Sequence, residues 1–228
     1  MTDAALRPSA LTSLPGVEAG FTTRTFAAAD EPLDAGRARL AEATGMAVAS
    51  VGQVHGADVA VVREAGHVPA HDGLVTSRAG LLLTTIAADC ALVLLADAEA
   101  GVVGACHSGW RGTVAHIVER TADKMVGLGA DPGRLVVALG PCISAEAFEV
   151  GEEVADQFPA SSVVRRPEWP RPHVDLGAEV RRQLVEAGVA GERVEALGVC
   201  TAGDGRFYSY RAEGGTRGRM FGFVGRRG

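Results

Sequence analysis

The chain has 228 residues, 47% hydrophobic and 22% charged, the balance of a globular protein able to bury a core in one large domain or two small ones. Its 22 basic and 28 acidic residues leave a net charge of -6, which argues against a general nucleic-acid or polyanion binder. The sole lysine, Lys124, has no glycine-rich loop before it, so a phosphate-loop lysine is excluded.

Residues Met1 to Gly16 contain no apolar block of signal-peptide length. The most apolar stretch, 80–96, is interrupted by Thr84, Thr85 and Asp89 and falls short of the roughly 20 residues of a membrane span. A cytoplasmic protein with no membrane partner is expected. Cys90, Cys106, Cys142 and Cys200 contain no C-x-x-C pair and are expected to be reduced thiols.

In chain order, Asp34 to Thr44 predicts a helix stopped by Gly45. Short apolar runs then predict successive buried strands at Val48 to Val54, Asp58 to Arg63, Gly73 to Thr76, Leu81 to Ala87, Ala91 to Leu95 and Val102 to Ala105. From Trp110 to Leu128 the apolar residues Val114, Ile117, Val118, Ala122 and Met125 recur at steps of three and four, predicting one amphipathic helix. A strand at Arg134 to Leu139 follows, then helices at Gly151 to Gln157 and Asp175 to Ala187, with Asp175 as N-cap of the second. Strands at Arg193 to Leu197, Phe207 to Tyr210 and Gly218 to Phe223 close the chain. Runs of strands before the first long helix favour an α+β arrangement over a regular βαβ alternation.

Three polar segments end apolar runs: Gln53-Val54-His55-Gly56, Ala88-Asp89-Cys90 and Cys106-His107-Ser108-Gly109-Trp110-Arg111-Gly112. A strand end holds a side chain firmly yet leaves its tip near a cleft. His55, Cys90 and His107 make a two-histidine, one-cysteine set that suits zinc with an open fourth position, or copper. Their gaps match no compact zinc signature, so buried histidines and an inert cysteine stand as the alternative. The turn after His107 leads into a helix, which makes Arg111 either an anion clamp beside helix amides or a solvated side chain. His67, His71 and His116 are assigned to loops or a solvated helix face, Cys106, Cys142 and Cys200 to the core. The arginines Arg211, Arg217, Arg219, Arg226 and Arg227 are read as a solvated basic tail or phosphate ligands.

The motifs Phe21-Thr22-Thr23-Arg24, Gln53-Val54-His55-Gly56, Asp72-Gly73-Leu74-Val75-Thr76, Ala88-Asp89-Cys90, His107-Ser108-Gly109-Trp110-Arg111-Gly112-Thr113, Gly140-Pro141-Cys142-Ile143-Ser144 and Phe207-Tyr208-Ser209-Tyr210-Arg211 occur in that order. Together they resemble the YfiH-type family, long labelled laccase-domain or polyphenol oxidase proteins and since described as purine nucleoside phosphorylases. The resemblance spans nearly the whole chain and implies a single α+β domain over residues 1–228, a layered mixed β-sheet core with helices packed outside. It implies a zinc held by His55, Cys90 and His107. It also implies phosphorolysis of adenosine, inosine and methylthioadenosine, and deamination of adenosine. Purine nucleosides and phosphate are the implied partners, for a monomer or homodimer. Arg24 and Arg111 are then the candidate phosphate holders, Gln53 a candidate substrate contact, Cys90 a catalytic thiol, and Asp89 a candidate acid or base that alternatively orients a ligand histidine. The chain departs from the family pattern at Thr25 to Leu40, where a glycine-rich and Leu-Asn-Leu-Gly stretch is replaced by a shorter alanine-rich one without asparagine.

Three other functions compete. A cysteine hydrolase or amidase editing cell-wall precursors would use Cys90 as nucleophile and His107 as base. A copper laccase needs several His-x-His pairs; the chain has none and only six histidines, although copper could occupy the same site in vitro. A zinc-stabilised binding protein would use the ligands without turnover. The zinc-deaminase pattern H-x-E with P-C-x-x-C is absent, so a deaminase here needs another site design.

Overall fold

The computed structural model describes residues 4–228; the first three residues of the Met1 to Gly16 stretch lie outside them. The strands are β1 (Ala5–Leu6), β2 (Val17–Thr22), β3 (Ala47–Gly52), β4 (Val59–Val61), β5 (Gly66–Pro69), β6 (Gly73–Thr76), β7 (Leu81–Ala87), β8 (Ala91–Asp97), β9 (Val102–Ser108), β10 (Val136–Leu139), β11 (Val163–Val164), β12 (His173–Val174), β13 (Val194–Ala196) and β14 (Met220–Arg226). The helices are α1 (Ser9–Thr12), α2 (Leu33–Thr44), α3 (Trp110–Val114), α4 (Ile117–Val126), α5 (Glu152–Ala155) and α6 (Leu176–Glu186).

Two six-stranded sheets form the core, in the orders β1-β2-β14-β7-β3-β5 and β13-β10-β8-β9-β6-β4. Both are mixed. In the first, β14 runs antiparallel to β2 and β7 while β3 is parallel to β7 and β5. In the second, β9 runs antiparallel to β8 and β6, and β4 is parallel to β6.

The two-residue period of the strands sorts their side chains between layers. Leu92 and Leu94 of β8 meet Phe21, Leu83 and Val224 of the other sheet in a shared core. Their neighbours Ala91, Val93 and Leu95 face the opposite way and are covered by Ile117, Val118 and Met125 of α4 and by Val180 and Leu184 of α6. On the outer face of the first sheet, Leu82, Phe221 and Phe223 pack with Leu40 of α2 and with Met46. The result is a helix, sheet, sheet, helix stack, the α+β class that the strand runs predict and the layered mixed core that the resemblance implies. Gly45 ends α2 in the left-handed region at φ 71°, its N–H donating to the Ala41 carbonyl, and Asp175 caps α6 by accepting the Ala178 N–H at 2.8 Å. No helix of the described residues is long and apolar enough to cross a membrane.

Several expectations change. The helix predicted from Trp110 to Leu128 is two helices, broken at His116, whose φ is 61°. The apolar period runs through the break because the two pieces bury different stripes: Trp110 and Val114 pack on the cluster around Ile143 and Leu176, Ile117 and Val118 on the second sheet. Phe207 to Tyr210 is not a strand. Phe207 closes a turn onto the Asp204 carbonyl, and Phe207 and Tyr208 are buried as an aromatic plug against Met220. Strands β2 and β5 were not anticipated; β5 carries His67, whose Nδ1 lies 3.0 Å from the Ser50 hydroxyl. Cys106 is fully buried as expected, but Cys142 and Cys200 are only partly buried and face each other across an isolated bridge.

Candidate functional site

The site forms where β3, β6, β8 and β9 end together. His107 lies in β9, opposite Leu92 of β8, and its backbone N–H donates to the Asp72 carbonyl just before β6. Cys90 follows Asp89 in the turn between β7 and β8, and His55 sits in the loop after β3. One ligand atom from each of His55, Cys90 and His107 falls within 4.8 Å of the others. Residues separated by 35 and 17 positions meet because neighbouring strands end at the same edge.

A buried aspartate organises the group. Asp72 is fully buried; one carboxylate oxygen lies 2.8 Å from His107 Nδ1, and the two oxygens accept the backbone N–H groups of Val54, His55 and Gly56 at 3.0, 3.0 and 2.7 Å. Burial pushes its carboxyl up, but the bonds from His107 and from the Gly56 and Val54 amides outweigh burial and hold it below the usual aspartate range. The same carboxylate therefore fixes the His107 ring and the loop carrying His55. That loop holds His55 at φ 59°, a conformation a non-glycine residue keeps only when its surroundings impose it. With Nδ1 engaged, Nε2 is the histidine's remaining ligand atom.

Electrostatics follow from these contacts. Burial raises the Cys90 thiol, yet hydrogen bonds from His107 and His55 and their charge bring it down to about 6. Burial lowers His107, but Asp72 and Cys90 together push it up to about 9. The donor set suits a borderline-soft cation, being two imidazoles and an ionisable thiol. Space is kept for one by Gly109: a methyl group there would lie 3.0 Å from Cys90 Sγ and 3.1 Å from His55 Cδ2. This is a His/Cys group able to hold a metal ion.

The group opens on a cavity of about 930 Å³, walled by Trp110, Ile143, Phe148 and Tyr210 on one side and by Gln53, Ile86 and residues of the 29–37 segment on another. The other predicted site residues fall differently. Gln53 lines the cavity, but its amide is committed to the Ile86 backbone, donating to the carbonyl and accepting the N–H at 2.8 Å each. Asp89 lines it too, at φ 87°; one oxygen accepts from Thr201 at 2.6 Å and the other from the Arg211 N–H at 2.7 Å. It clamps the chain around Arg211 to the Cys90 turn and orients no histidine. Arg24 stacks on Tyr208 and pairs with Glu213, and Arg111 lies over the Trp110 ring at 4.2 Å; neither lines the cavity. Arg37, Arg211, Arg217 and Arg219 line it instead. Asp72 was missed as a site residue because its strand position alone reads as a turn aspartate; its signal was the polar residue directly before the buried run Gly73 to Thr76.

The family described as multi-copper polyphenol oxidoreductase laccase matches residues 22–227. The chain is 45% identical over 202 residues to a purine nucleoside phosphorylase of Deinococcus radiodurans, spanning 85% of this chain and 77% of that one. It is 39% identical over 209 residues to purine nucleoside phosphorylase ORF3 of Streptomyces griseus, spanning 87% and 84%. It is 38% identical over 157 residues to adenosine deaminase RL5 of an unknown prokaryotic organism, spanning 66% of this chain and 60% of that one. Among solved structures, YlmD from Geobacillus stearothermophilus superposes with a TM-score of 0.84 at 31% identity, over 94% of this chain and 93% of that one. The chain belongs to this laccase-domain family, whose relatives bear nucleoside-enzyme names.

Proposed function

We propose that this chain is a zinc-dependent purine nucleoside enzyme, cleaving adenosine, inosine and methylthioadenosine with phosphate and deaminating adenosine, and that it works in the cytoplasm, where its free thiols stay reduced. The observation that carries the reading is the convergence of His55, Cys90 and His107 at the wall of a cavity large enough for a nucleoside. The named activities of its relatives supply the substrate class.

The metal's ligands are His55, Cys90 and His107; zinc bound there supplies a Lewis acid and a means of lowering the pKa of water. The chain's own residues do the rest. Asp72 holds the His107 ring with Nδ1 turned away from the cavity. Trp110, Phe148 and Tyr210 offer aromatic faces for a purine and exclude water around it. In phosphorolysis a phosphate oxygen bonds to the ribose anomeric carbon as the glycosidic bond breaks; the bonding pair leaves on the purine, which takes the proton that phosphate gives up.

The laccase chemistry of the family's description needs more ligands than this chain has. The chain has six histidines, and His55, Cys90 and His107 form the one metal-capable group of three or more among the described residues. A second reading, a cysteine hydrolase, is favoured by the Cys90 thiol lying beside the His107 imidazole, the contact pulling the thiol down and the imidazole up.

The test is metal analysis of the purified protein together with incubation with adenosine and phosphate, assaying adenine, ribose 1-phosphate and inosine. One zinc per chain with adenine release supports the proposal. A metal-free protein with full turnover sinks the zinc mechanism and leaves the hydrolase, and zinc without any nucleoside product leaves a binding protein.

A further inference from the structure

The 29–37 segment supplies a cation, Arg37, to the cavity. Arg37 stands beside Gly36 on α2, and a methyl group on Gly36 would lie 2.6 Å from the Phe221 ring, so the helix is pressed onto β14 at this point. The close approach buries the Arg37 side chain to 15% exposure, yet its ion-pair partner, Asp34 at 2.6 Å, is 91% exposed. The Arg37 Nε is buried without a hydrogen-bond partner. A buried donor left unpaired is costly, more so when charged, and water screens the attraction of so exposed a carboxylate.

The surroundings provide a second cation. Arg219 lines the same cavity one residue before β14, the strand against which Gly36 is pressed. Only its Nη1 is engaged, on the Thr216 and Gly218 carbonyls at 2.8 Å, which anchors the side chain and leaves Nη2 and Nε for a ligand. The neighbouring acid Glu31 does not neutralise the pair, because its carboxylate is taken by Arg39 and by the Ala28 amide. Two arginines lining one cavity, each with only its Nη1 engaged, match the forked donors that bind tetrahedral oxyanions.

We propose that Arg37 and Arg219 form the seat of the inorganic phosphate consumed in phosphorolysis. The inference rests on the phosphorylase reading above and replaces Arg24 and Arg111, which do not line the cavity, as the phosphate holders.

The experiment compares the metal-loaded full chain with Arg37→Met, Arg37→Lys and Arg219→Met. With adenosine held constant, the phosphate KM is expected to rise at least about tenfold in both methionine variants and less in Arg37→Lys, as for loss of a charge-assisted contact. The ratio of adenine to inosine formed falls accordingly, since deamination consumes no phosphate. Independently of turnover, inorganic phosphate is expected to raise the melting temperature of the wild-type protein and not that of Arg37→Met. An unchanged phosphate KM and an undiminished thermal shift in Arg37→Met overturn the proposal. An Arg37-dependent thermal shift without adenine release keeps the anion seat and rejects phosphorolysis. Adenosine 5'-monophosphate turned over better than adenosine, with that preference lost in Arg37→Met, assigns the seat to a substrate's own phosphate and overturns its assignment to the free ion.

Discussion

Asp72 and His107, 35 positions apart, are joined at 2.8 Å by a carboxylate that also accepts three consecutive backbone N–H groups of the His55 loop. One buried side chain thus sets both histidines of the candidate metal group, one through its ring and the other through its backbone.

Asp72→Asn removes the charge while keeping the size. The new amide NH2 must replace either the oxygen shared by His107 Nδ1 and the His55 N–H or the one shared by the Val54 and Gly56 N–H groups, so two donors lose their acceptor. Metal affinity is expected to fall about 10–100-fold, the usual cost of losing such an outer partner. A chelator competition titration reads this directly, and affinity equal to wild type would show that Asp72 serves the fold alone.

Gly109→Ala tests the room kept between the ligands. The added methyl meets Cys90 Sγ at 3.0 Å and His55 Cδ2 at 3.1 Å, closer than ordinary van der Waals contact, and the residue's extended backbone at φ -74° accepts alanine without strain. The variant is expected to fold with a melting temperature near wild type while its metal content drops. Full metal occupancy in this variant would count against the three residues as the ligand set.

Asp97→Asn tests stability away from the site. Asp97 is 1% exposed and accepts from the backbone N–H groups of Glu99, Ala100 and Asp131 and from Arg134. Burial raises its carboxyl, but the Ala100 amide, Arg134 and the Asp131 amide together hold it below the usual aspartate value. A depressed folded-state value means that the unfolded chain takes up its proton first as pH falls. The stabilisation is therefore complete above the unfolded value of about 3.9 and is lost as pH drops through the folded one. At pH 7 the variant is expected to be less stable by about 1.5–3 kcal/mol, with the gap to wild type closing in acid. Urea unfolding at several pH values measures it, and a pH-independent gap would place the effect in packing.

Much of the site was legible early because it depends on residue type at strand ends. His55, Cys90 and His107 each close an apolar run, and the unbroken burial-prone runs of β8 and β9 report burial on both faces. The left-handed stop at Gly45 and the Asp175 cap are equally local, being set by one residue's backbone freedom or side-chain reach. The broken helix at His116 was not, since the periodic signal is blind to which neighbour each stripe meets.

What the sequence by itself determined is the chemistry on offer: a β-rich α+β domain, a thiol and two imidazoles at strand ends, and too few histidines for several copper centres. Only the tertiary structure decided how those groups are used. It put Asp72 beneath both histidines, tied Asp89 to Thr201 and Arg211 and Gln53 to Ile86, turned Arg24 and Arg111 onto aromatic rings, and brought Arg37 and Arg219 to the cavity. The reason is physical: residue type and spacing encode local conformation and burial, whereas the partner of a polar side chain is chosen by strand order and layer packing, which bring together residues far apart in the chain.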